Sequence, residues 1–123
     1  MAADIKLVRK MALALPGVTE GVCFGTPAFY LRKKLMLRLR EDGETLVVKF
    51  PLQERDKTIE KEPDIFSVTD HYENYPVVLV SLLAVGEKML GGLIEGAWRM
   101  LASRKQIVAF DAGRPNKGDS AKP

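Results

Sequence analysis

The chain has 123 residues, 46% of them apolar and 28% charged, with 19 basic against 16 acidic side chains for a formal charge of +3. That length suits one domain and leaves no room for two independent catalytic domains. A single cysteine, Cys23, excludes an intrachain disulfide and a cysteine-pair metal cluster, and it makes a reducing, cytoplasmic setting the expectation.

The longest apolar stretch runs from Val77 to Val85 with Ser81 inside it, less than half of the ~20 residues a membrane helix needs. Met11 to Leu15 is too short for a signal h-region, and Asp4 stands where positive charge belongs, so neither spanning nor export is expected.

In chain order, Ile5, Val8, Ala12 and Leu15 follow helical spacing, with Lys6, Arg9 and Lys10 on the opposite face. Pro16 and Gly17 end this first helix, because proline disfavours helical geometry in the residue before it. Gly17, Gly21 and Gly25 then read as a loop. From Ala28 a strand begins and breaks at a charged tip, Arg32 to Lys34. It resumes with Leu35, Leu37 and Leu39 facing in, and Met36, Arg38 and Arg40 facing out. Asp42-Gly43 is a strong hairpin signal; pairing Glu41 with Glu44 sets Leu39 opposite Leu46, Leu37 opposite Val48 and Leu35 opposite Phe50. The same register puts Lys49 beside Met36 on the arginine face.

Leu52 to Lys61 reads as a short polar helix ended before Pro63, Ile65 to Thr69 as a strand, and Asp70 to Pro76 as a loop. Val77 to Leu83 is apolar on both faces, as in a central covered strand. Gly86 opens a last long helix that buries Leu90, Leu93 or Ile94, Ala97, Trp98 and Leu101, with Glu95 four residues before Arg99 in the favourable ion-pair order. Gly91, Gly92 and Gly96 weaken that helix by about 3 kcal/mol relative to alanine, which suggests a close approach to the sheet. The domain is expected over 1–110, and 111–123, without apolar periodicity, reads as a flexible tail.

No constellation for catalysis stands out. His71 is the only histidine, so a histidine-pair metal site cannot be built. A Cys23–His71 nucleophile pair lacks any local signature, and Glu60, Glu62 and Asp64 read as the solvated face of a short helix. The glycines at 17, 21 and 25 lack the Lys-Ser/Thr ending of a phosphate loop. The expectation is a protein with no enzymatic activity, no catalytic residues, no metal and no cofactor.

Three segments carry a resemblance: Leu13-Ala14-Leu15-Pro16-Gly17-Val18-Thr19-Glu20, Gly25-Thr26-Pro27-Ala28-Phe29-Tyr30, and Lys34-Leu35-Met36 before a Leu/Arg strand. With Thr69-Asp70-His71-Tyr72-Glu73-Asn74-Tyr75-Pro76 and Glu95-Gly96-Ala97-Trp98-Arg99, they make the chain resemble the MmcQ/YjbR family over roughly residues 5 to 102. The resemblance implies an α+β domain of the CyaY (frataxin-like) kind. In such a domain the N-terminal and C-terminal helices pack on one antiparallel meander sheet, with a short helix between strands. It further implies DNA binding through paired hairpins acting as wings, with Lys34 at the hairpin lysine. The wider frataxin likeness would put iron on an acidic first helix, whereas Lys6, Arg9 and Lys10 stand on this one.

Two functional expectations follow. One is nucleic-acid binding through Arg32, Lys33, Lys34, Arg38, Arg40 and Lys49, with Phe29 or Tyr30 available for base stacking if exposed. The other is a protein-interaction or small-ligand module built on His71, Tyr72 and Tyr75, since aromatics with a polar handle favour binding surfaces.

Overall fold

The computed structural model describes residues 3–113. Six antiparallel strands form one sheet in the order β1-β2-β3-β4-β6-β5. They are β1 Thr19–Cys23, β2 Thr26–Leu31, β3 Lys34–Leu39, β4 Thr45–Lys49, β5 Phe66–Ser67 and β6 Val77–Ser81. The helices are α1 Ile5–Leu13, α2 Leu52–Lys61, α3 Glu87–Leu101 and α4 Arg104–Ala112, with a 3₁₀ turn at Asp70–Tyr72. This is the expected α+β class. The meander holds through β4, after which β6 enters between β4 and the two-residue edge strand β5.

Amphipathic α1 and α3 pack against each other over one sheet face, and Val8, Ala12, Leu90, Ile94, Ala97 and Trp98 are fully buried against Phe29, Leu37, Leu46, Val48 and Val78. Trp98 satisfies its indole N–H by donating to the Pro16 carbonyl at 2.8 Å, so the turn that ends α1 is tied to α3. Gly17 follows with φ +79, and a Cβ there would meet Leu31 and Gln106 side-chain atoms at 3.1 Å, which is why glycine stands at this crossing. In α3, a Cβ on Gly91 would approach only the Met11 side chain, and Gly92 and Gly96 face open space. The helix glycines therefore allow no close approach to the sheet; Gly91 lies beside α1.

Three expectations fail for local reasons. The glycine-punctuated stretch is a strand, β1, in which Gly21 lies under the Tyr30 ring. Asp42-Gly43 does not form a two-residue turn: only Gly43 takes a positive φ, while the Asp42 carboxylate accepts from the Glu44 and Thr45 amides and the Thr45 hydroxyl. The predicted register survives at two of its three pairs, Leu39 opposite Leu46 and Leu37 opposite Val48, whereas Leu35 and Phe50 are not paired. Finally, β3 carries a bulge: Phe29 pairs with Leu37 but Tyr30 pairs with Leu35, which leaves Met36 extra. Met36 and Leu37 both enter the helix-side core, and Leu35 turns to the other face, so Met36 does not share a face with Lys49 as expected. Of the tail expected over 111–123, Asp111 and Ala112 instead complete α4; residues 114–123 lie outside those described.

Candidate ligand site on the open sheet face

The face of the sheet away from α1 and α3 carries a cross-strand row, Ala28, Arg38, Val47 and Leu79, all buried yet outside the main core. Segment 69–76 folds toward this row. Its anchor is Arg55 of α2, 5% exposed, whose Nη1 donates to the carbonyls of Tyr72, Tyr75 and Val77 and whose Nη2 donates to Glu73. The Nε of Arg55 is buried with no partner. This guanidinium thus adds to the backbone bonds of the segment, binding three of its carbonyls and that of Val77 at the start of β6, and it holds His71, Tyr72 and Tyr75 in place. Their rings lie edge to face, with centroids 4.7 Å apart for His71–Tyr72 and 6.3 Å for Tyr72–Tyr75.

Arg38 is 5% exposed, which corrects its expected place on a solvent-facing basic surface. Its Nη1 donates to the Leu39 carbonyl at 3.2 Å and to the Thr26 hydroxyl at 3.4 Å, and its Nη2 donates to the Tyr72 hydroxyl at 3.3 Å. These lengths exceed the usual ~2.9–3.0 Å for N–H···O bonds. The carboxylate of Glu41 is 3.8 Å away and 62% exposed. Burial, the largest influence, opposes the charge on Arg38, but the Tyr72 bond together with Glu41 and Cys23 more than offsets it and raises the pKa. Above the guanidinium lies the Phe24 ring, 5.0 Å from Cζ to centroid, in cation–π contact.

Phe24 is the site residue that the sequence reading missed. Phe24 and Gly25 both take positive φ, 54° and 79°, making a tight two-residue turn between β1 and β2. Phe24 is nevertheless 76% exposed, so this strained aromatic contributes little to the core. Phe24, Arg38, Arg40, Glu41, Thr69, His71 and Tyr72 line an open depression of about 320 Å³. The two expected sets of binding residues therefore meet here, Arg38 and Arg40 from one and His71 and Tyr72 from the other. Tyr75 stands beside them, 56% exposed.

The remaining basic candidates lie elsewhere. Arg32, Lys33 and Lys34 are exposed at the β2–β3 turn, where Arg32 donates to the Leu101 carbonyl at the end of α3. Lys34 and Arg40 sit at opposite ends of β3, a strand length of roughly 20 Å. At the Arg40 end the exposed β3–β4 turn presents Glu41, Asp42 and Glu44. Lys49 is half-buried at the far end of β4, in register with Val77. The expected single basic face is thus divided into a basic tip and an acidic turn. Phe29 is fully buried and Tyr30 half-buried, so Phe29 offers no stacking surface. Among the described residues, no three His, Cys, Asp or Glu side chains come together as a metal site. No helix among them is long and apolar enough to cross a membrane.

Uncharacterized protein Rv2570 of Mycobacterium tuberculosis and uncharacterized protein Mb2600 of Mycobacterium bovis are each 35% identical to the chain over 74 residues. The match covers 60% of this chain and 50% of each relative, so the chain spans about half the length of the curated relatives it matches. The crystal structure of Deinococcus radiodurans protein DR2400, with a DUF419 domain, matches at a TM-score of 0.71 and 20% identity, covering 94% of this chain and 91% of that one. That likeness bears on the fold. The YjbR family model matches residues 13–100, from the end of α1 through nearly all of α3, and the chain belongs to the YjbR family.

Proposed function

We propose that this domain is a non-enzymatic binding module acting in the cytoplasm, with the depression beneath Phe24 as its ligand site. The observation that carries the reading is Arg38, a buried cation held by long bonds to neutral oxygens and by one mostly exposed carboxylate at 3.8 Å. A buried charge so loosely compensated gains from a closer anion. The aromatic tips around it are of the kind that recurs at binding surfaces. Protein-observed NMR of the full chain against a mixed library of small-molecule fragments, dinucleotides and tripeptides tests this. Shifts clustered on Phe24, Arg40, His71, Tyr72 and the Arg38 side chain are the expected result; a library that leaves these signals unmoved overturns it.

A second reading, nucleic-acid binding, is favoured by one observation: Arg32, Lys33 and Lys34 are all exposed at the β2–β3 turn. Fluorescence anisotropy with duplex DNA, single-stranded DNA and RNA, titrated from about 50 to 300 mM salt, measures it. Each phosphate contact adds roughly 0.9 to the log–log salt slope on duplex. Binding that disappears in Lys33→Glu plus Lys34→Glu supports the tip as the contact; no binding at the lowest salt retires it.

A further inference from the structure

We infer that the depression takes a small organic monoanion bearing a planar ring, an aromatic monocarboxylate, with its carboxylate toward Arg38 and Arg40 and its ring on Phe24. The inference rests on the depression being a binding site and adds the chemical class of what fills it.

Size limits the ligand first. About 320 Å³ lies at the lower end of small-molecule sites, which start near ~300 Å³, so a single ring with a short acidic arm is the appropriate scale. Charge limits it next. Two arginines of the lining, Arg38 and Arg40, stand against one acidic residue of the lining, Glu41, which leaves one surplus positive charge there; Asp42, outside the lining, feels Arg40 only as the least of the influences on its carboxylate. A monocarboxylate balances that surplus, whereas a phosphate dianion would leave excess negative charge beside Glu41. Glu41 is 62% exposed and 3.8 Å from Arg38, so it can give way to a closer carboxylate. The Tyr72 hydroxyl accepts from Arg38 and therefore keeps its own proton to donate to an incoming oxygen.

Phe24 supplies the ring specificity. One side of its ring meets the Arg38 guanidinium at 5.0 Å, and the residue remains 76% exposed, which leaves aromatic surface for a second ring. It does so at φ 54°, where asparagine or glycine would sit without strain. Strain kept at an exposed aromatic beside a buried cation marks the position as one used for contact.

The test is an NMR titration of the full chain with phenylacetate, phenylacetamide, cyclohexylacetate, acetate and phenyl phosphate. Phenylacetate should shift the Phe24 and Arg38 signals and bind roughly tenfold more tightly than each of the other four, the scale of one charge-assisted hydrogen bond. Phe24→Asn, which retains a turn-compatible residue, should weaken phenylacetate by a similar factor without lowering the melting temperature, and Arg40→Gln should do the same. Equal binding of phenylacetamide or cyclohexylacetate, tighter binding of phenyl phosphate, or full affinity in Phe24→Asn would overturn the ligand class while leaving the depression as a site. Silence from all five with a responsive fragment library also overturns the class alone, and silence from both overturns the site as well.

Discussion

Phe24 combines features that seldom occur together in a residue kept for stability: a positive φ, high exposure and a cation beneath its ring. A left-handed conformation costs a non-glycine residue about 1–2 kcal/mol, and an exposed cation–π contact returns about 0.5–1. Phe24→Asn should therefore stabilise the fold by up to about 1 kcal/mol, read as a rise of a few degrees in Tm by calorimetry. Arg55 behaves in the opposite way. Its guanidinium serves three carbonyls of the loop and that of Val77 from a buried position, so Arg55→Met should cost about 3 kcal/mol, because it removes four charge-assisted bonds that tie the loop to α2. Hydrogen exchange should rise first in residues 70–77, ahead of the β2–β4 strands; uniform acceleration across the sheet would show that Arg55 does not act on the loop in particular.

At the scale of elements, α4 shows how a local signal and a tertiary contact cooperate. Ser103 accepts from the Gln106 amide while the Gln106 side chain accepts from the Ser103 amide, a capping box closed at both ends. The helix so started places Phe110 against Trp98 at 4.9 Å and Asp111 on Arg99 at 2.6 Å. Ser103→Ala should cost about 1 kcal/mol and reduce helical circular dichroism before the global transition. The two sheet edges differ in protection. The short β5 offers little backbone to a neighbour, whereas β1 is five residues long, and its one charge, Glu20, is engaged by Arg9 in a bidentate pair at 2.9 Å.

For the whole molecule, charge is arranged end to end. Arg32 to Lys34 occupy one end of the β2–β3–β4 sheet, and Glu41, Asp42 and Glu44 occupy the other. Among the described residues, two carboxylates have lowered pKa values: Asp42, chiefly through the Glu44 amide, and Glu20, chiefly through the Arg9 side chain. A depressed folded pKa stabilises the fold above the unfolded value, near ~3.9 for aspartate and ~4.3 for glutamate, and that contribution fades as pH falls through the folded value. Chemical denaturation at pH 7 and at successive steps below 4.5 should show stability falling on the acid side, and Asp42→Asn with Glu20→Gln should flatten that dependence. An unchanged acid slope in the double variant would move the cause to other carboxylates.

The sequence alone determined most of the scaffold. Helical periodicity located α1 and α3, Pro16 and Gly17 marked the end of α1 and Gly86 the start of α3, and the Asp42-Gly43 signal placed the β3–β4 register next to the turn. Each of these depends on neighbours within a few residues or across one turn. The Ser103-x-x-Gln106 box was equally legible and would have announced α4. Tertiary structure decided the site. Arg38 alternates with leucines as a solvent-facing residue would, and only the fold of segment 69–76 across the second sheet face buries it. Arg55 reads as one more charge on a polar helix until the loop carbonyls converge on it. The bulge at Met36 reversed the inward and outward positions of half a strand, because a one-residue insertion shifts a period of two. Burial of a charge, unlike periodicity, is set by which distant segments meet, and that is information no local spacing contains.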